Sequence, residues 1–334
     1  MNIAMRTLKA SGNASLSTDP EENGHSEAVS EFSRDVIRGL TSPRKTLPCK
    51  YLYDEAGSLI FEQICELDDY YLTRTESEIF SKNLPAIAEA LGRDVTMIEP
   101  GAGNCEKAQP LLAIMDTPRC YIPIDISPEI LLAAESRIET ALPGLQVQPV
   151  IGDFTMPESL GEKTAENKEV IFFPGSTIGN FTWEQARTLL QGFGSRLSAG
   201  DGLLLGVDLV KDSVILERAY HDDQHVTEAF NKNLLQRINR ELNGDFDLDA
   251  FAHKAFYHPL RQRVEMHLVS LKSQRVNIDG VQIDFEEGET IHTENSHKYT
   301  LETLETLLAD AGFHPQQYWT DKNKHYALCY ADFA

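Results

Sequence analysis

Three strand ends in this chain carry residues able to hold a small polar ligand. The first runs from Val95 through Glu99 and Pro100 into Gly101, Gly103 and Lys107, an apolar segment that ends in an acid and turns through two glycines toward a helix. Glycine takes backbone angles that a Cβ disfavours and lets the main chain pass close to a ligand at the carboxyl end of a strand. The second, Cys120 to Ser127, ends in Asp125, a little over 20 residues beyond the glycines, where a carboxylate is placed to accept from a ribose diol. The third ends in Gly152, Asp153 and Phe154, an acid beside an aromatic ring suited to a purine. A dinucleotide fingerprint would carry its third glycine, close to a pyrophosphate, at position 106, and that residue is Glu106.

The loop therefore suits an adenosine-bearing ligand without phosphates, and the three strand ends in this order form the pattern of an S-adenosylmethionine site. A nicotinamide-dependent oxidoreductase would use the same kind of sheet, but the missing glycine speaks against it; a sensor that binds S-adenosylmethionine without turnover is the other competing class. Further along, Pro174 to Phe181 ends an apolar strand with Gly175, Gly179 and small polar side chains. Asn180 there can bind the carboxylate or amine of an amino acid, or can cap the helix that starts near Trp183. Glu294 and Ser296 lie two apart, on one side of an extended segment, and such a pair can grip both nitrogens of an imidazole or belong to a polar surface strand. The tyrosines of Tyr51–Tyr53 and Asp68–Tyr71 offer hydroxyl donors, although tyrosine is equally at home in half-buried packing. His221 and His225 are four apart, but the segment lacks a Glu directly after the first His and a third ligand, so no metal is assigned to it.

Short apolar runs alternating with helical periods place these residues on a mostly parallel sheet covered by helices. Strands are expected at 95–99, 121–126, 146–151, 170–173 and 202–207, with helices at 106–115, 128–142 and 183–197 between them. After Asp208 the rhythm changes to helices at 212–220 and 226–242 and then an alternating stretch over 255–287, which reads as an insertion with its own packing. The chain returns with a helix at 301–311 and strands at 316–320 and 326–331. Ordered structure is expected from about Glu27, beginning with a helix that carries Phe32, Val36 and Leu40 on one face, after a disordered tail over 1–26.

At 334 residues the chain can bury a large core. Its 30 Lys+Arg against 52 Asp+Glu give a formal charge of -22, which repels phosphate backbones and anionic bilayers, so neither nucleic acid nor membrane is expected as a partner. The five cysteines are scattered, with no Cys-x-x-Cys pair, and fit a reducing cytoplasm; no segment approaches the roughly 20 apolar residues of a membrane span.

Taken together, Tyr51–Asp54, Tyr70–Arg74, Glu99–Lys107, Asp125–Ser127, Gly152–Phe154, Gly175–Asn180, Gly206–Asp212, Ala219–Tyr220, Phe230–Leu235, Ile238–Leu242 and Thr293–Lys298 resemble the histidine-specific Nα-methyltransferases that make hercynine on the route to ergothioneine. The resemblance runs from about Arg34 to the end. It implies an α/β chain: a Rossmann-like class I methyltransferase core over 74–210 and 299–334, and a second α+β domain from 27–73 and 211–298. By this resemblance Gly101, Gly103, Lys107, Asp125, Asp153, Phe154 and Gly175 would hold S-adenosylmethionine. Tyr70, Asn180 and Tyr220 would hold the amine and carboxylate of L-histidine with Tyr53 close by, Glu294 and Ser296 would read the imidazole, and Met266 would help wall its pocket. No catalytic acid or base is implied, since Tyr53, Tyr70 and Asn180 would act by positioning, and a monomer is expected. The Pro100 and Asn104 of the glycine loop depart from the family's usual residues without removing a contact, whereas the polar Asn295 and His297 beside the imidazole readers keep another amino acid or an indole-alkaloid amine open as acceptor.

Overall fold

The computed structural model describes residues 31–161, 163 and 167–334. The expected tail over 1–26 and the expected start of the first helix at 27–30 lie outside these residues. The chain opens on helix α1 (31–40), a short 3-10 turn (Cys49–Leu52), α2 (Glu55–Glu66) and the long α3 (Tyr71–Leu91). Strands and helices then alternate: β1 (Thr96–Pro100), α4 (Ala108–Ile114), β2 (Cys120–Asp125), α5 (Pro128–Ala141), β3 (Gln146–Val147), β4 (Val150–Ile151), α6 (Pro157–Leu160), β5 (Glu169–Phe173), α7 (Trp183–Arg196) and β6 (Gly202–Asp208). Next come α8 (Ser213–Tyr220), α9 (Val226–Glu241) and the strands β7 (Phe251–His258), β8 (Arg263–Ser270), β9 (Gln274–Ile278), β10 (Val281–Phe285) and β11 (Thr290–His297). The end is α10 (Leu301–Asp310), β12 (Phe313–Thr320) and β13 (Tyr326–Phe333).

The large sheet runs β12-β13-β6-β5-β1-β2-β3, with β4 also paired to β2. All pairings from β6 to β4 are parallel, and β13 enters antiparallel between β6 and β12. This is a Rossmann-like class I methyltransferase sheet. The order reverses at β1, flanked by β2 and β5, and a ligand crevice forms outside the carboxyl ends of strands at such a switch point. Glu99, Asp125, Asp153 and Gly175 all stand at or just past those ends.

Two apolar clusters cover the faces of this sheet, one including Met97, Leu111, Tyr121 and Leu204, the other including Ile98, Phe173, Phe193 and Leu307. A third cluster joins residues of 32–72 to residues of 216–291, among them Phe32, Leu52, Phe230, Leu234, Phe251 and Ile291. It packs the N-terminal helices and α9 against the three-stranded sheet β11-β8-β7 and the β10-β9 hairpin. Asp54 ties these pieces together: it caps α2 by accepting from Gly57 N at 2.8 Å, and it accepts from Asn233 Nδ2 at 2.7 Å and Arg240 Nη2 at 2.6 Å on α9. Helix α3 bridges the clusters, with Tyr71 and Leu72 in the third and Ile79, Ile87 and Leu91 in the first. The expected boundary at 73/74 thus falls inside a continuous helix.

Several element bounds differ from expectation for local reasons. The single strand expected over 146–151 is broken into β3 and β4 around Pro149, which has no N–H for a ladder. β12 begins at Phe313 rather than 316, and the register shifts between Pro315 and Gln317, where a bulge absorbs the proline. His221 ends α8 and His225, at φ 60°, precedes α9, so the two imidazoles share no helical face.

Candidate functional site

One continuous cavity of about 2320 Å³ extends from the Gly101 loop to β11. It is lined by Gly101, Gly103, Lys107, Asp125, Asp153, Phe154 and Gly175 at one end and by Tyr53, Tyr70, Asn180, Tyr220, Glu294 and Ser296 at the other.

At the first end the backbone does most of the shaping. Gly101 takes φ 69°, and a Cβ there would stand 3.2 Å from the Phe154 ring, so glycine alone keeps the ring against the loop. Gly103 N donates to Asp125 Oδ2 at 2.8 Å and Ser127 N to Asp125 Oδ1 at 3.0 Å. Both carboxylate oxygens are thereby oriented, and each keeps a lone pair for a diol. Phe154 is held edge-on by Phe173 at 5.6 Å and Phe181 at 6.3 Å. The Lys107 ammonium sits 2.6 Å from Glu76 Oε2, while Glu76 Oε1 accepts from Gly175 N at 2.7 Å and Tyr326 OH at 2.6 Å. Burial works against the Lys107 charge, but the Glu76 carboxylate outweighs it and holds the ammonium above its ordinary pKa. Burial pushes the neighbouring Glu99 carboxyl up to about 8 against the hydrogen bond from Tyr121 OH.

This donor set fits S-adenosylmethionine: a carboxylate for the ribose, a ring for adenine, an ammonium for the amino-acid carboxylate, and glycines where the chain comes close. Glu76 and Tyr326 had no role in the sequence reading. Glu76 sits in the polar run Thr73–Glu78 and Tyr326 follows Lys322–His325, so neither stands out locally, and the Glu76 partners Gly175 and Tyr326 lie 99 and 250 positions away along the chain.

At the second end side chains take over. Asn180 is not the cap of α7; Thr182 is, in a capping box with Gln185, and Asn180 ends a 3-10 turn over Thr177–Asn180. Gly179 lets that turn press on β11, since a Cβ there would meet His297 O at 2.9 Å. Tyr70 packs against Tyr220 with ring centroids 6.2 Å apart, and Tyr53 against Phe61 and Phe230 at 5.4 and 5.3 Å. Burial, reinforced by neighbouring Glu294 and Tyr220, holds the phenols of Tyr53 and Tyr70 well above their ordinary pKa, so both stay protonated.

Glu294 and Ser296 reach the cavity because β11 shifts register between His292 and Glu294, leaving Thr293 to donate to Met266 O at 3.1 Å. Burial drives the Glu294 carboxyl up to about 7, with Lys298 opposing. Ser296 Oγ lies 2.7 Å from Tyr220 OH, and the buried Lys298 ammonium donates to both, at 2.8 and 3.0 Å. Lys298 also contacts Asp208 Oδ2 at 2.7 Å, and Asp208 accepts from Tyr71 OH at 2.7 Å and Lys211 Nζ at 2.6 Å. Burial raises the Asp208 carboxyl, yet Lys298 and Lys211 together bring it below its ordinary value.

Met266 departs from expectation. It pairs with Glu294 in the β11·β8 register, but it is buried in the apolar cluster and is not among the residues that line the cavity. Paired residues on neighbouring strands share a face, so Met266 stands on the face of Glu294 but packs behind the lining, in the cluster that includes Tyr70 and Tyr220. On the same strands Glu265, His267 and His292 bring a carboxylate and two imidazoles within 4.8 Å. The two rings stack at 4.6 Å with planes 13° apart, so their in-plane lone pairs run side by side rather than converging on an ion, and Arg263 donates to Glu265 Oε1 at 2.6 and 2.8 Å.

A family model described as histidine-specific, SAM-dependent methyltransferase matches residues 32–333. The chain is 40% identical over 309 residues to a histidine N-alpha-methyltransferase of Mycolicibacterium smegmatis, covering 91% of this chain and 95% of that protein. It is 39% identical over 303 residues to a histidine N-alpha-methyltransferase of Mycobacterium tuberculosis, covering 89% and 94%. An ergothioneine biosynthesis protein 1 of Neurospora crassa is 27% identical over 356 residues, which span 96% of this chain but 38% of that longer protein. The family match over nearly the whole chain, with two relatives near 40% identity, makes this protein a member of the histidine-specific, S-adenosylmethionine-dependent methyltransferase family.

Proposed function

We propose that the protein transfers three methyl groups in succession from S-adenosylmethionine to the α-amino nitrogen of L-histidine, giving hercynine, the opening step of ergothioneine biosynthesis. The observation that carries the reading is the continuity of one cavity from the Gly101–Asp125 corner to Glu294 and Ser296. When bound, S-adenosylmethionine supplies an electrophilic methyl group on a sulfonium.

The protein's contribution is position. Asp125 fixes the ribose, Phe154 and Asp153 the adenine, and Lys107 the far carboxylate, with Gly101, Gly103 and Gly175 allowing close approach. Asn180, Tyr70 and Tyr220 hold the amine and carboxylate of histidine beside Tyr53, while Glu294 accepts from an imidazole N–H and Ser296 donates to the other ring nitrogen. Holding nucleophile and methyl carbon about 3 to 3.5 Å apart and in line replaces a bimolecular encounter with an effectively unimolecular step. Tyr53 and Tyr70 keep their protons, so they act as neutral hydroxyls that do not stabilise an ammonium. The amine, with an ordinary pKa near 8 or above, sheds its proton before each attack.

No helix among the described residues is long and apolar enough to cross a membrane, the five free cysteines fit a reducing cytoplasm, and the formal charge of -22 favours a small-molecule substrate over nucleic acid or an anionic bilayer. The test is product mass after incubation with S-adenosylmethionine and, separately, L-histidine, L-tryptophan and a histidine lacking its α-amine. Three added methyl groups on L-histidine alone are expected. Methylation of the deaminated analogue would move the reaction to a ring nitrogen, and a preference for tryptophan would overturn the assignment of Glu294.

A further inference from the structure

The buried ammonium of Lys298 has no part in the contacts assigned so far, yet it touches two of the residues that make them. Its side chain is 0% exposed, and its three N–H bonds are all engaged, to Asp208 Oδ2 at 2.7 Å, Ser296 Oγ at 2.8 Å and Tyr220 OH at 3.0 Å. An ammonium has three donors and no acceptor, so both hydroxyl oxygens receive a hydrogen bond from behind. One of the two hydroxyls donates to the other across 2.7 Å, and the accepting one keeps its own proton for the cavity.

We propose that Lys298 is a positioning residue for substrate selection, which turns the Tyr220–Ser296 hydroxyl pair into a donor edge toward the ligand. Glu294, two residues before Ser296 on the same strand, is the matching acceptor. The pocket thus presents one acceptor and one donor, the complement of a neutral imidazole with one N–H and one bare nitrogen. A ring with an N–H but no acceptor nitrogen satisfies Glu294 and leaves the donor edge unpaired, and an unpaired buried polar group is costly. Asp208 anchors the arrangement to the end of β6, so the imidazole end is held by the same sheet that carries the cofactor end.

The inference rests on the reading of Glu294 and Ser296 as imidazole readers, and analogues separate the two. The pyrrolylalanines keep a ring N–H and lack the acceptor nitrogen; the thiazolylalanines keep an acceptor nitrogen and lack the N–H. Wild-type protein should prefer L-histidine to the pyrrolylalanines by roughly 100-fold in kcat/KM, and Lys298→Met should reduce that preference below about 10-fold while leaving the preference over the thiazolylalanines in place. A purely structural loss would lower kcat/KM for every substrate in proportion and leave the ratios unchanged.

Lys298→Met leaves Asp208 without one buried partner, so the double variant Asp208→Asn, Lys298→Met is measured beside it. There Lys211, whose ammonium burial brings down to about 8, can shed its proton and remain bonded to Tyr71. Full preference for histidine over the pyrrolylalanines in whichever variant folds, or no such preference in the wild type, would overturn the role of Lys298. Equal use of the thiazolylalanines and histidine by the wild type would instead overturn the reading of Glu294.

Discussion

The two ends of the cavity are built in different ways. The cofactor end is made largely of main chain at consecutive strand ends, where Gly103 N and Ser127 N orient Asp125 and the positive φ of Gly101 admits a neighbouring ring. The amino-acid end is made of side chains brought from the turns that precede α2 and α3, the 3-10 turn of Asn180, α8 and β11, and is fixed by a buried charge network through Asp208, Lys211 and Lys298. A site shaped by backbone serves a ligand common to many reactions. A site shaped by side chains on an added layer can change its acceptor without disturbing the sheet.

Glu76 is the point where the contrast can be broken, because it is a buried side chain that supports the backbone-built end. Glu76→Ala would leave the Lys107 ammonium, the Tyr326 hydroxyl and the Gly175 N–H without their shared acceptor. The Lys107 side chain is 39% exposed and can turn to water, so the cost falls mainly on the buried Tyr326 hydroxyl and the Gly175 N–H, about 1 to 3 kcal/mol. Denaturant titration should show a loss of that order, and calorimetry should show weakened binding of S-adenosylmethionine. An unchanged midpoint and affinity would mean that the cofactor end stands without it.

The acidity of Glu294 sharpens the other side. Its carboxyl is ionised above about pH 7 and protonated below, and the charged carboxylate is much the stronger acceptor from an imidazole N–H. kcat/KM for histidine should therefore fall as pH drops through 7, by up to about tenfold per pH unit, and Glu294→Gln should remove the part of this limb that belongs to the enzyme. The stability of the ligand-free protein runs the opposite way with pH. A folded pKa raised from 4.5 to about 7 means that the native state binds the extra proton, so stability relative to Glu294→Gln declines as pH rises across that window and then levels off. Thermal unfolding at pH 5 and pH 8 checks this.

A smaller effect is expected where the added layer is merely held together. Asp54→Ala removes the α2 cap and the contacts to Asn233 and Arg240, at a cost of about 1 to 2 kcal/mol, with cofactor affinity retained. Loss of cofactor affinity in this variant would show the two ends to be coupled through α2.

The same contrast explains what could be read in advance. Gly101, Asp125 and Asp153 were legible because each terminates an apolar strand, so strand, turn and ligand contact are contiguous in the chain. Asn180 was recognisable as a polar residue at a strand end, but the choice between cap and ligand contact waited for Thr182 to be seen in the capping role. Glu294 and Ser296 were visible as a period-two pair, whereas the register shift that aims them was not. Lys298 and Asp208 stood within recognisable motifs without a role, because the meaning of each depends on the other, across the whole inserted layer. Met266 is expected in the pocket wall, and it shares the face of its partner Glu294, but it is covered by its neighbours in the apolar cluster and stands behind the lining.

The central claim is that one protein cavity separates holding the methyl donor from reading the imidazole. Calorimetric titration of Glu294→Ala with S-adenosylhomocysteine, and then with L-histidine in its presence, tests it directly. S-adenosylhomocysteine affinity should stay within about twofold of wild type while histidine affinity falls by roughly 10- to 100-fold. Histidine affinity unchanged, or both affinities lost together, would contradict it.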